Sequence, residues 1–263
     1  MSVIALAQSA RSPVFMSETL RLGMQHLCPS GLSEQWLLRD CGDRHWGLIA
    51  RALGQERAVF QDASGRAVYA AFCATSVTLV PPLPLLGETV ELRSELFAVS
   101  AARIGSVHRV ALGAGQVARV EMISTFVSHD DSGSNRRILR NAPVGRANLP
   151  EPPSALAALD ERAREVARGL RDRTPRAAPI LTATPVPALD FNAVGLLYFP
   201  TFSGLAEMAR PAPAALLGRD VIYMGNIDMG DRVRVHEAAG GLDIVRPDDR
   251  IIAHVQSRYQ PSG

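Results

Sequence analysis

The chain has 263 residues, of which 47% are hydrophobic and 21% are charged, and its formal net charge is +2. This length allows one large domain or two of roughly 120 residues, and the composition is typical of a globular protein. So small a net charge does not indicate a nucleic-acid-binding surface, and no apolar run reaches the ~18 residues that a membrane span requires.

The three cysteines, Cys28, Cys41 and Cys73, have no Cys-x-x-Cys spacing, and the six histidines have no metal-ligand spacing. We therefore expect reduced thiols and neither a disulfide framework nor a metal site. The opening residues Met1–Ala7 lack the basic region of a secretory signal, so the predicted location is cytoplasmic. All cationic side chains are arginines, which suit the phosphates and carboxylates of coenzyme A or an acidic carrier protein.

The first block of elements begins with an apolar helical pattern from Leu32 to Leu53, followed by Gly54 as the stop signal. Asp43 is placed to cap a second helical piece within that stretch. Alternating or β-branched segments then predict four strands. Their predicted ranges are 68–79, 89–99, 106–112 and 117–127.

Residues 141–188 are rich in proline and form a predicted linker, in which apolar residues spaced by three and four predict a helix over 154–173. The second block has a predicted helix over 192–209 and four further strands. The ranges of these strands are 220–224, 231–237, 242–245 and 251–259.

A helix followed by several amphipathic strands thus occurs twice, which indicates an internal duplication. This pattern favours an α+β double hot-dog, in which each of two antiparallel sheets wraps a central helix and the sheets join edge to edge. The predicted boundaries are 1–140 for the N-terminal repeat, 141–188 for the linker and 189–263 for the C-terminal repeat.

Tyr69 follows a turn formed by residues 62–65 and lies on the first long strand. One interpretation is a ring packed with its hydroxyl at the sheet edge. The other is a catalytic phenol, acting as nucleophile or acid. Because the pKa of a free tyrosine is ~10, that role requires a nearby cation or donor, for which Arg44 and Arg66 are candidates.

Asn192 precedes the second predicted helix, where it is either an N-cap or a catalytic donor. A helix N-terminus offers free amide groups to a thioester carbonyl, and the Asn192 amide adds a donor to a developing oxyanion. Gly195 allows a substrate to approach the backbone closely. Tyr198 is either a core residue or a substrate contact, and the same alternatives hold for His45 and Trp46 at the first block's helix.

Three common enzyme signatures are absent from the sequence. It contains no Gly-x-Ser-x-Gly elbow, no P-loop and no dinucleotide fingerprint.

Three sequence segments, and a fourth before the linker, resemble one family, the LnmK-type bifunctional acyltransferase/decarboxylases of polyketide biosynthesis. The segments are Gly23-Met-Gln-His-Leu27 with Gly42-Asp-Arg-His-Trp46, Asp62-Ala-Ser-Gly-Arg-Ala-Val-Tyr-Ala-Ala-Phe72, Asp190-Phe-Asn-Ala-Val-Gly-Leu-Leu-Tyr-Phe199, and Asp131-Ser-Gly-Ser-Asn-Arg-Arg137.

The resemblance implies a double hot-dog that decarboxylates methylmalonyl-coenzyme A and passes the acyl group to an acyl carrier protein. Tyr69 matches the family's acyl-accepting tyrosine, and Asn192 matches its helix-start asparagine. No metal or organic cofactor is implied beyond the thioester carrier, and either a monomer or a homodimer fits. The chain departs from the family in a shorter second repeat and in the small Ala70 and Ala71 beside Tyr69, which leaves the acyl group open.

Two alternatives accompany this reading. One is a hot-dog thioesterase or dehydratase, for which Asp190 and His45 are the candidate acid and histidine. The other is a non-catalytic protein that binds acylated carrier protein.

Overall fold

A computed structural model describes residues 13–80, 85–145, 147–175, 177–211 and 214–261. The opening residues, on which the absence of a secretory signal was predicted, lie outside these ranges. None of the described helices is long and apolar enough to cross a membrane. The three cysteines are free.

The first half of the fold is an antiparallel sheet packed against one long helix, α1 (Glu34–Ala52). Its main strands are β1 (Val14–Arg21), β5 (Ala67–Leu79), β6 (Thr89–Ser100), β7 (Arg103–Leu112) and β8 (Gly115–His129). They run in the spatial order β1-β6-β7-β8-β5. The short elements are a 3-10 turn (Met24–His26), β2 (Leu27–Cys28), β3 (Gly31–Leu32), β4 (Phe60–Gln61) and β9 (Ile138–Arg140).

Helix α1 starts where Ser33 accepts a hydrogen bond from the amide of Trp36 at 3.3 Å, an N-cap contact. The predicted break at Asp43 is wrong, because the helix runs unbroken through that residue. Gly42 of α1 lies close against the second half. A Cβ there would lie 2.9 Å from the ring of Phe199, so a larger residue would push the two apart.

The second half repeats the plan with fewer and shorter elements. Its strands are β10 (Leu181–Ala183), β11 (Leu216–Tyr223), β12 (Val233–Ala238), β13 (Gly241–Val245) and β14 (Ile251–Tyr259). They run in the spatial order β11-β14-β13-β12-β10 and pack against α4 (Phe199–Ala209). A short helix α3 (Pro187–Asp190) precedes α4.

Two predictions for this half need correction. The helix expected over 192–209 begins only at Phe199, and residues 192–198 form a turn. Strand β10 falls within the predicted linker but pairs with β12, so the second sheet begins earlier than expected. The linker helix exists as α2 (Ser154–Leu170), and its buried face covers Ala74 and Ile222 where the two halves meet.

The halves join through β5 and β11, which pair from Ala74–Ile222 to Thr78–Gly218. This edge-to-edge contact makes one sheet of twelve described strands, with α1 and α4 on one face and α2 on the other. The predicted double hot-dog is confirmed. The gap left beside this joint is where the candidate site lies.

A buried chain of hydrogen bonds fixes α1 on its sheet. His45 contacts the hydroxyls of Ser106 and Ser124, each at 2.7 Å, and His108 contacts Ser106 at 2.7 Å and Ser94 at 2.8 Å. Both histidines are fully buried. Burial lowers the pKa of His45 to about 3, and burial lowers the pKa of His108 well below its ordinary value.

We expect the free energy of unfolding to fall as the pH drops below ~6.5, the unfolded pKa of histidine. The unfolded chain then binds protons at His45 and His108 that the folded chain excludes. Each of these histidines therefore lowers the free energy of unfolding by up to about 1.4 kcal/mol per pH unit, until the pH reaches its folded pKa. Urea unfolding at pH 7.0, 5.5 and 4.5 measures this slope. His45→Gln is expected to flatten this slope, and an unchanged slope in His45→Gln contradicts the assignment.

Candidate functional site

The candidate site is a cavity of about 550 Å³ between the two halves. It follows from an unpaired strand edge: β5 pairs with β11 only over residues 74–78, whereas residues 69–72 pair with β8 alone. The loops 192–198 and 224–226 of the second half contribute lining residues beside this open edge. The cavity is therefore lined by both repeats.

The inner side of the cavity is aromatic and faces α1. Alternation along β5 turns Phe72 toward that helix, where its ring centroid lies 4.3 Å from that of Phe199 and 6.0 Å from that of Trp46. The ring centroid of Phe202 lies 5.2 Å from that of Tyr223. These five side chains line the cavity. Such a wall suits a hydrocarbon chain.

The polar atoms of this aromatic wall are occupied. The Trp46 indole donates to the carbonyl of Ala70 at 2.9 Å, and the Tyr223 hydroxyl lies 3.0 Å from that of Thr75. Burial raises the pKa of Tyr223 above its ordinary value. Burial, with the Asp43 carboxylate nearby, raises the pKa of Tyr198 to about 12. Both phenols are therefore neutral at physiological pH.

Tyr69 lies on the opposite face of β5, at the outer side of the cavity. Its ring lies edge-on to that of His129, with 5.6 Å between centroids. Its hydroxyl makes no hydrogen bond with any described residue, so it is free to contact a ligand. The two predicted cation suppliers are engaged elsewhere: Arg44 with Glu18 and Asp40, and Arg66 with Asp131.

Asn192 also lines the cavity, but not as the cap of α4. Its Oδ1 accepts the backbone amides of Val194 at 3.2 Å and Leu196 at 3.0 Å. Because Oδ1 must face these two donors, the Nδ2 group has a fixed orientation. Nδ2 donates to none of the described residues. The turn thus holds one amide donor in place for a ligand.

Gly195 closes this turn with φ of +79°, a conformation that favours glycine, and its amide donates to the carbonyl of Asn192 at 2.9 Å. It shapes the loop and is not among the described residues that line the cavity. Its predicted role, close approach of substrate to the backbone, stays a prediction.

A clamp from the first half holds the same loop. Asn135 is buried, and its Nδ2 donates to the carbonyls of Gly195 and Ile227, both at 2.7 Å. Its Oδ1 lies 2.8 Å from Nε2 of His129, and its backbone amide donates to Asp228 at 2.7 Å. Asn135 therefore links the His129 ring, which touches Tyr69, to the Asn192 loop.

The structure places two other candidates away from the cavity. His45 lies in the serine–histidine chain described above and is not among the described lining residues, so its predicted substrate contact finds no support in the geometry. Asp190 is also outside the lining; its Oδ2 accepts the amide of Val186 at 2.7 Å. Trp46, Tyr69, Asn192 and Tyr198 do share one cavity, while their functional roles stay predictions.

Two site residues were missed from the sequence. Arg140 lines the cavity from β9, a three-residue strand inside a charged stretch that offers no periodic signal. Asn135 belongs to the segment 131–137 that carried part of the family resemblance, but its bonds to the second half have no signal in the sequence.

No protein-family model and no curated protein matches the sequence. Solved structures do match it over nearly its whole length. An acyl-ACP thioesterase from Bacteroides thetaiotaomicron has a TM-score of 0.65 at 10% identity, covering 94% of this chain and 98% of its own. The 12:0-ACP thioesterase from Umbellularia californica has a TM-score of 0.67 at 11% identity, covering 95% and 98%.

A protein described as an oleoyl thioesterase from Lactobacillus plantarum has a TM-score of 0.59 at 16% identity, covering 94% of this chain and 97% of its own. At these identities the likeness is one of fold. The chain is a double hot-dog protein, and its overall fold is similar to that of these solved structures.

Proposed function

We propose that the chain is an enzyme that acts on acyl thioesters, and that hydrolysis is its reaction. The observation that carries this proposal is a cavity between two hot-dog halves, with an aromatic inner wall and one oriented, unpaired amide donor from Asn192 at its edge. Two of the structural neighbours are acyl-ACP thioesterases, which supports the substrate class. An acyl-CoA or an acyl carrier protein would deliver the acyl group.

In this proposal the acyl chain packs among Phe72, Phe199 and Phe202, and the thioester carbonyl lies at Asn192. Water adds to the carbonyl carbon, and Nδ2 of Asn192 donates to the oxygen as negative charge develops there. Collapse of the intermediate breaks the carbon–sulfur bond. The products are the carboxylic acid and the free thiol, which takes a proton.

A second candidate is the decarboxylating acyl transfer that the LnmK resemblance implies. The observation that favours it is Tyr69, which lines the cavity and whose hydroxyl has no hydrogen-bond partner among the described residues. The described lining contains no Asp, Glu or His to activate water. The Tyr69 oxygen would attack the thioester and release coenzyme A. The tyrosyl ester of methylmalonate would lose carbon dioxide, and the enolate would take up a proton. A carrier-protein thiol would then take the propionyl group and restore the phenol.

Mass spectrometry of purified protein with acyl-, malonyl- and methylmalonyl-coenzyme A, with and without a carrier protein, separates these reactions. A hydrolase is expected to release the free acid and the thiol even when no carrier protein is present. Carbon dioxide plus propionyl-carrier, lost in Tyr69→Phe, would shift the assignment to the acyltransferase. If every thioester stays intact and the protein binds acylated carrier protein, the result would favour the non-catalytic binding protein.

A further inference from the structure

We propose that Arg140 binds an anionic group of the thioester ligand at the outer side of the cavity. This inference rests on the proposed function for its ligand class. The shared chemistry is an oxyanion, and it has two sources: the phosphate of the carrier's pantetheine arm or a free carboxylate on the acyl group. An arginine binds either one through paired N–H donors.

The first support is position. Arg140 pairs with Val127 across β9 and β8, and Val127 pairs with Tyr69 across β8 and β5. Directly opposed residues point to the same face of a sheet, so these three side chains form one row. Two strand spacings of ~4.8 Å separate Arg140 from Tyr69 along the row. All three line the cavity.

The second support is the state of the guanidinium. Arg140 makes no hydrogen bond and no ion pair with any described residue, although it is the single cation among the described lining residues. Its neighbours on the chain differ: Arg136 pairs with Asp231 at 2.5 Å, and Arg137 lies 4.0 Å from Asp130. A cation left without an anion beside a ligand cavity is available to the ligand.

The third support is the wall around it. Val127 and Ile138 line the same side of the cavity, and no described Asp or Glu lines it to compete for the guanidinium. Removing water from such a wall strengthens an arginine–oxyanion pair. Burial raises the pKa of the Cys73 thiol, which also lines the cavity; the charge of Arg103 and, less strongly, that of Arg140 oppose this rise.

Binding of unreactive thioether analogues tests this without requiring turnover. Four ligands suffice: an S-alkyl and an S-carboxyalkyl chain, each on coenzyme A and on N-acetylcysteamine, which lacks phosphate. Isothermal titration calorimetry measures Kd for the wild type, Arg140→Gln, Arg140→Lys and a matched control, Arg137→Gln. Arg137 carries the same charge but is 73% exposed and is not among the described lining residues.

Arg140→Gln is expected to raise Kd by about 10-fold or more for the ligands that carry the recognised anion. Arg140→Lys is expected to have an intermediate Kd, and Arg137→Gln a Kd within about 2-fold of wild type. If the affinity of Arg140→Gln falls only for the two coenzyme A ligands, the recognised anion is the phosphate. If it falls only for the two carboxyalkyl ligands, the recognised anion is the carboxylate. Equal Kd values in Arg140→Gln and wild type for all four, or no binding by the wild type, would overturn the inference. If binding depends on Arg140 but no thioester is turned over, the proposed enzyme activity is contradicted and the inference about Arg140 stands.

Discussion

Asn192→Asp is expected to lower kcat for thioester turnover by about 10²- to 10³-fold, the effect of losing one oxyanion donor. Aspartate keeps the acceptor that holds the amides of Val194 and Leu196, but it has no Nδ2 donor and adds negative charge where the oxyanion forms. The variant is therefore expected to keep the turn but lose the donor that the reaction needs. Steady-state kinetics with an acyl thioester and a thermal unfolding scan measure the two properties on the same samples.

Asn192→Ala serves as the companion variant, since it loses both the donor and the turn contacts. We expect it to lower kcat as Asn192→Asp does and to lower Tm as well. Wild-type kcat in Asn192→Asp would refute the role of Nδ2 in the reaction.

Arg219→Met is expected to destabilise the fold by about 3–5 kcal/mol, the cost of breaking a buried ion pair. The Arg219 side chain is 1% exposed and bonds to Glu34 at 2.7 Å, to Glu207 at 2.5 Å and to the hydroxyl of Tyr259 at 3.0 Å. These contacts join α1 of the first half to α4, β11 and β14 of the second. Without the guanidinium, the carboxyl of Glu34, whose pKa burial already raises, stays in the core unpaired.

Urea unfolding measures this effect against Arg210→Met, which removes the surface pair with Glu237 and is expected to cost less than about 1 kcal/mol. The double variant Arg219→Met with Glu34→Leu is expected to recover most of the loss, because it removes both buried charges. A loss below about 1 kcal/mol in Arg219→Met would show that the pair does not hold the halves together.

Much of the fold was predictable from local pattern. Strands β5 to β8 and β11 to β14 have enough alternation or β-branched residues to be placed within about four residues of their observed ends. The exposed edge strand β1 was missed because its polar face leaves no apolar pattern, and β10 is too short to have one. The start of α4 does have a signal in the sequence: Pro200 lies in its first turn, where proline is favoured.

The site was predictable only in part, because it depends on pairing between distant strands. The segments around Tyr69 and Asn192 were recognised separately and do line one cavity. His45 was a candidate because it lies at the first block's helix and a dehydratase needs a histidine, yet its partners Ser106 and Ser124 lie 61 and 79 residues away in sequence. Arg140 comes to the cavity only through the register of β5, β8 and β9, which no local pattern encodes.

Thiol release from acyl-coenzyme A tests the central claim most directly, since hydrolysis and acyl transfer both free the thiol. The comparison is wild type against Ala71→Phe, which fills the cavity beside Tyr69, and Ala101→Phe, which adds the same ring at an exposed turn. We predict thiol release by the wild type and Ala101→Phe and a loss of at least about 10-fold in Ala71→Phe at unchanged Tm. No release by the wild type with any acyl chain, or equal rates in all three proteins, would contradict a thioester enzyme that works in this cavity.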